Sequence, residues 1–159
     1  MLKRWLAFLA VLLLAGCAGQ RTVPDFPQVE SIWPLPVQLL VQVEQQQVED
    51  YLLVIQEQHD GLRFSLFNPM GMPMARQVLH RGRWQAEGLL PPNQQAKQWF
   101  AAVLFALMEP EQAARLYPEA QISEQARALS AQWRVEYVSA EQFILYLDNQ
   151  QKITVQHLQ

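Results

Sequence analysis

The chain opens on a charged start followed by an unbroken apolar run. Lys3 and Arg4 come first, then Trp5 to Leu14, then small Ala15 and Gly16, then Cys17. The run is about ten residues, whereas a helix that spans a bilayer needs roughly 20. A short apolar stretch between a basic start and a small-residue cleavage site predicts a signal peptide over residues 1–16. Pro24, Pro27, Pro34 and Pro36 follow. They remove backbone donors and favour extended chain, so residues 17–34 read as an N-terminal tether. Its last part carries Ile32 and Trp33, apolar enough to pack onto whatever folds next.

From residue 35 the pattern alternates with a period of two. Leu35, Val37, Leu39, Val41 and Val43 face one way, and Gln38, Gln42 and Glu44 the other, which predicts a half-buried strand. Val48 to Gln56 predicts a second strand, apolar on both faces around Tyr51 to Ile55. Asp60-Gly61 is hairpin chemistry, because glycine tolerates positive φ. Leu62, Phe64 and Leu66 form a third strand, and Asn68-Pro69-Met70-Gly71 a turn. Met74 to His80 and Arg83 to Glu87 make two more strands around Arg81-Gly82.

After Pro91-Pro92 the period changes. Asn93 is a good N-cap. Ala96, Trp99, Phe100, Val103, Leu104 and Leu107 recur at helical spacing, and Ala101, Ala102, Phe105 and Met108 make the other side apolar too. A helix that is hydrophobic all round is a buried one. Glu111 to Leu116 predicts a short second helix, and Ser123 to Ser130 leans helical. Strands return with Trp133, Val135 and Tyr137, with Phe143, Leu145 and Leu147, and with Ile153 and Val155. The expected fold class is therefore α+β. A curved antiparallel sheet, a half-barrel of about eight strands, is expected to wrap around one buried central helix, because a sheet needs an apolar partner for its inner face. Residues 35–159 form that single domain.

Charge and composition narrow the function. Without Lys3 and Arg4 the chain carries 10 basic against 15 acidic residues, a net charge of −5. No basic stripe appears, which argues against a nucleic-acid partner. Cys17 is the single cysteine, so no internal disulfide can form.

Leu14-Ala15-Gly16-Cys17 resembles the lipobox of bacterial lipoprotein precursors. That resemblance implies diacylglycerol on the Cys17 thiol, cleavage before Cys17, and a further acyl chain, such as palmitate, on the new amine. Several chains on one residue give stable anchoring where one is marginal. Ala18, where the enterobacterial sorting rule reads aspartate as inner-membrane retention, implies the outer membrane; the rule does not set the leaflet, and a periplasm-facing domain is a separate expectation. The element order, with Phe64-Ser65-Leu66-Phe67-Asn68-Pro69-Met70-Gly71, the apolar helix and the closing strands from Phe143 to Val155, is similar to the LolA/LolB group of periplasmic lipoprotein carriers and receptors. It resembles more closely a family of small bacterial outer-membrane lipoproteins with a LolA/LolB-like (lipoprotein-localisation) fold. The resemblance implies an apolar cavity that binds or relays a lipid, an acyl chain or lipidated cargo without catalysis.

The helix residues Trp99, Phe100, Val103, Leu104 and Leu107 would line that cavity, or else form an ordinary filled core. The other class of function is a structural or assembly lipoprotein that docks onto another envelope protein without a ligand pocket. Trp84, Arg81 and Arg83 could serve such docking, or be a strand edge with solvated arginines. Met70 and Met72 are unexpected in a turn. Either they project and touch a membrane or greasy partner, as flexible thioethers suit, or they fold back and cap the core. No catalytic spacing is present. His59, His80 and His157 are far apart and form no ligand pair, so no metal, cofactor or enzyme activity is expected.

Overall fold

The computed structural model describes residues 34–158 except Asp60, Ala131 and Asn149. The signal segment, Cys17, and the tether through Trp33 lie outside the described residues. Ten strands form: β1 (Val37–Glu44), β2 (Val48–Gln58), β3 (Gly61–Phe67), β4 (Pro73–His80), β5 (Arg83–Ala86), β6 (Gln121–Ile122), β7 (Ala126–Leu129), β8 (Trp133–Tyr137), β9 (Gln142–Leu147) and β10 (Lys152–His157). Two helices, α1 (Gln94–Leu107) and α2 (Pro110–Leu116), separate β5 from β6.

All ten strands join one antiparallel sheet in the order β5-β4-β3-β2-β1-β10-β9-β8-β7-β6. This overturns the α+β half-barrel of about eight strands wrapped around a helix, and the LolA/LolB-like assignment with it. The protein is mostly sheet, the sheet has ten strands, and it is open, with β5 and β6 as its edges among the described residues. The period-two signal was counted correctly where strands are long. It missed β6, of two residues, and β7, where Ser123 to Ser130 was expected to be helical. Ala126-Arg127-Ala128-Leu129 has good helix propensity, but propensity is a weak preference that tertiary context overrides. Here the unpaired side of β8 takes it, with Arg127 opposite Val135 and Leu129 opposite Trp133.

The inner face of the sheet collects Val37, Leu39, Val41 and Val43 with Leu53, Ile55, Phe64, Leu66, Val135, Leu145, Ile153 and Val155, all buried. Leu35 precedes β1 and is packed against this core. Helix α1 lies against the inner face. Its first half stands over β2 to β5, with Trp99 5.6 Å from Tyr51 and Phe100 5.3 Å from Phe64. Its second half stands over β8, with Phe105 5.8 Å from Trp133 and, on the other side, 5.4 Å from Tyr117 beyond α2.

Two turns show different uses of glycine. Arg81 and Gly82 both take positive φ, 47° and 77°, the mirror-image turn that matches strand twist. At the preceding hairpin it is His59 that adopts positive φ (48°), and Gly61 is already paired in β3. Its role is close approach rather than turning, since a Cβ there would stand 2.3 Å from the Leu79 carbonyl oxygen of β4.

Candidate functional site

The residues expected to line a cavity are Trp99, Phe100, Val103, Leu104 and Leu107, and each is at most 5 % exposed. Ala101, Ala102, Phe105 and Met108 on the opposite side of α1 are buried as well. The helix is held at both ends. At the start, the Asn93 Oδ1 accepts from the Ala96 amide at 3.0 Å, and the buried Gln77 of β4 donates its Nε2 to the Asn93 carbonyl at 3.1 Å. At the finish, Arg127 Nη1 donates to the carbonyls of Phe105 and Met108 at 2.9 and 2.7 Å, and the Tyr137 hydroxyl donates to Ala106 at 2.7 Å. These groups satisfy carbonyls that a helix leaves unpaired in its last turn.

The Arg127 guanidinium also lies 5.3 Å from the Tyr137 ring centroid. Burial lowers its pKa, against the favourable fields of Tyr137 and Glu109, but arginine stays charged at any physiological pH. Burial likewise pushes the Tyr137 phenol up to about 12, so it remains a donor. Arg127 gives no motif in the sequence. A charged residue alternating inward with Leu129 was its only trace.

The methionines project. Asn68 Oδ1 accepts from the amides of Met70 and Met72 at 3.1 and 2.9 Å, the Asn68 amide donates to the Met72 carbonyl at 3.0 Å, and Gly71 takes φ 76°. The backbone of the loop is thus bonded to its own first residue, and the side chains turn outward. Met70 is 83 % exposed and Met72 51 %. The register slips between Leu66 and Phe67, so Met74 has no place in the alternation opposite β3 and is 44 % exposed.

Antiparallel topology brings further apolar residues to the same end of the sheet. The 45–47, 68–72 and 87–93 connections all lie there, because β1, β3 and β5 run toward it and β2 and β4 start from it. Val48 and Leu89 belong to this end, at 62 % and 105 % exposure. Five of the seven large apolar side chains exposed among the described residues (Val48, Met70, Met72, Met74 and Leu89) therefore form one rim. The remaining two, Val138 and Leu158, lie at the opposite end, where β1 begins.

The proposed docking trio divides. Trp84 turns inward, 5.0 Å from Phe64 and 6.2 Å from Phe100, while Arg81 and Arg83 are exposed. His59 is an exposed turn residue, and with His80 it lines one depression on the outer face of the sheet. His157 lies on the inner-facing row at the far end of β10, opposite Leu39. Among the described residues no three His, Cys, Asp or Glu side chains gather as a metal site. Among them, too, no helix is long and apolar enough to cross a membrane. No protein-family profile matches the sequence, and no curated protein matches it.

Proposed function

We propose that the protein is an acylated lipoprotein of the bacterial cell envelope, anchored through Cys17 in the outer membrane, that contacts lipid non-catalytically through its methionine-bearing rim. The observation that carries this reading is the gathering of Val48, Met70, Met72, Met74 and Leu89 at one end of the sheet, exposed to solvent. Scattered apolar residues are normal on a surface, but apolar residues brought together at one end of a sheet point to an interaction site. The interior residues of α1 serve as packing, and the lipid contact is external.

The reach of the anchor permits this. Pro34 lies 17 chain steps after Cys17, a span of at most about 60 Å. The eight residues of β1 rise about 26 Å. The anchored chain can therefore turn either end of the sheet toward the bilayer, including the rim, although β1 starts at the other end.

The test has two parts. Cys17→Ser is expected to abolish incorporation of labelled acyl chains, and persistent labelling ends the lipoprotein reading. In a chain that starts at Ala18, which carries neither the acyl chains nor the apolar run Trp5 to Leu14, sedimentation with phospholipid vesicles reports on the rim. Met70→Glu with Leu89→Glu is expected to weaken it by about tenfold or more, since each tenfold is 1.4 kcal/mol and two apolar contacts are replaced by charge. Thermal stability is expected to stay within about 0.5 kcal/mol of the parent, as for other surface changes. Strong destabilisation shows the methionine to be core. Vesicle binding that ignores both glutamates removes the rim from the function.

A further inference from the structure

The outer face of β2 to β5 carries a depression of about 460 Å³ whose cause is one small side chain. Ser65 stands opposite Val54 on one side and Arg76 on the other, with Arg63 and Phe67 two residues away on its own strand. A hydroxymethyl group ringed by four long or bulky neighbours leaves a hollow with Ser65, 4 % exposed, as its floor. Val54 and Phe67 make one wall apolar, and Arg63, Arg76 and Glu87 make the other charged.

The charges do not cancel. Arg63 reaches across β4 to Glu87 with two parallel bonds, Nε to Oε2 at 2.6 Å and Nη2 to Oε1 at 2.8 Å, and Gln58 Nε2 adds a third at 2.9 Å. Those bonds hold the Glu87 carboxyl below the usual range, Arg63 first and Gln58 next, with the charge of Arg76 contributing. Arg63 and Glu87 thus neutralise one another. Arg76 is left over, half-buried in the same lining, and its buried Nε meets no acceptor among the described residues. A partly desolvated guanidinium with an unmet donor is a costly arrangement unless an acceptor completes it, and an anion is the strongest such acceptor. It occurs in a chain whose overall charge is negative, so it is no product of a generally basic surface.

We propose that this depression binds a phosphate group at Arg76, with Ser65 as floor and Val54 and Phe67 as the seat for an apolar portion of the same molecule. The hollow is larger than free phosphate needs and falls within the size of small-ligand sites. Phe67 is the last residue of β3 and leads into the loop of Met70, so an acyl chain leaving the hollow past Phe67 meets the rim. The ligand is therefore a phospholipid headgroup. In this the inference rests on the lipid-contact reading and names the chemistry that reading lacks.

The experiment uses the full-length acylated protein in uncharged detergent micelles, with the arginine Nε–Hε signals followed by NMR. Dihexanoyl phosphatidylglycerol, a soluble phospholipid, is expected to move the Arg76 signal saturably, and dihexanoylglycerol, which lacks phosphate, is expected to leave it in place. Arg76→Gln, read at the Ser65 amide, is expected to weaken binding about tenfold or more, the loss typical of a charge-assisted bond. Ser65→Leu fills the hollow on the solvent side, keeps both arginines, and is expected to weaken binding as much. Inorganic phosphate binding as tightly as the lipid keeps the phosphate site and removes the lipid as its source. An Arg76 signal that no phosphate compound moves, or binding indifferent to both substitutions, overturns the proposal. The Arg76 signal reports phosphate at the hollow and the vesicle assay reports the rim, so a failure of one is read separately from a failure of the other.

Discussion

Replacing Leu104 with alanine is expected to lower the unfolding free energy by about 2–5 kcal/mol. Leu104 is fully buried in the second half of α1, with Val103 and Phe105 enclosed beside it. The loss combines the transfer energy of the removed methyls with the cavity that a packed neighbourhood cannot close. Urea denaturation measures it as a fall in midpoint with an unchanged slope. A loss below about 0.5 kcal/mol is what exposed positions show, and it would contradict the burial of the helix. An intermediate loss accompanied by altered lipid binding would return the interior to the function.

The second large effect is expected at Arg127. Arg127→Met keeps the length and apolar stem of the side chain but removes the donors to Phe105 and Met108. Two carbonyls in a buried last turn then lose their partner, at about 1–3 kcal/mol each, partly offset because no guanidinium need be desolvated. The expected net loss is about 2–4 kcal/mol. Amide exchange should quicken in the last turn of α1 and remain slow near Asn93, whose cap is untouched. Equal stability of the variant would show that the carbonyls find other partners.

Tyr137 gives the same helix end a pH dependence. Its folded pKa is about 12, raised mainly by burial, against the ordinary 10. Its contribution is therefore complete below pH 10 and is lost as pH rises from 10 toward 12.

Much of the sheet was legible because its inner face is regular. Val37 to Val43, Trp133 to Tyr137 and Ile153 to Val155 alternate as a half-buried strand must, and each is a strand here. The helix was legible for the opposite reason, a stripe too wide for one face, starting at a true N-cap in Asn93. The closure of the sheet was not legible. Alternation says which face of a strand is buried and nothing about which strand lies beside it, so an open sheet of ten strands and a half-barrel of eight share one pattern. Short β6 and β7 carry too few residues for a period to show, and their pairing depends on β8 being there first.

The candidate sites divide in the same way. The apolar character of Met70 and Met72 was visible in the chain. Their outward direction comes from Asn68, whose side chain bonds the loop to itself. That Val48 and Leu89 join them is a property of strand direction, invisible to any local window. The hollow over Ser65 depends on register across β2, β3 and β4, since only register makes Val54 and Arg76 its neighbours.

Register has one more consequence, for how the chain comes to be folded. The centre of the sheet is the pairing of β1 with β10, in which Glu44 lies opposite Lys152, 108 positions later, with a 2.7 Å bond between their side chains. The first five strands form a meander by neighbouring hairpins, and so do the last five. Nothing local joins the two. Pairings this distant in the chain are slow to form, because loop closure must precede any gain from contact. Until β10 is in place the chain has two partial sheets and no seam between them. Its central apolar row, Leu39, Val41 and Val43, stays uncovered along one side until β10 arrives. Completion of the core thereby waits on the last strand of the chain to form.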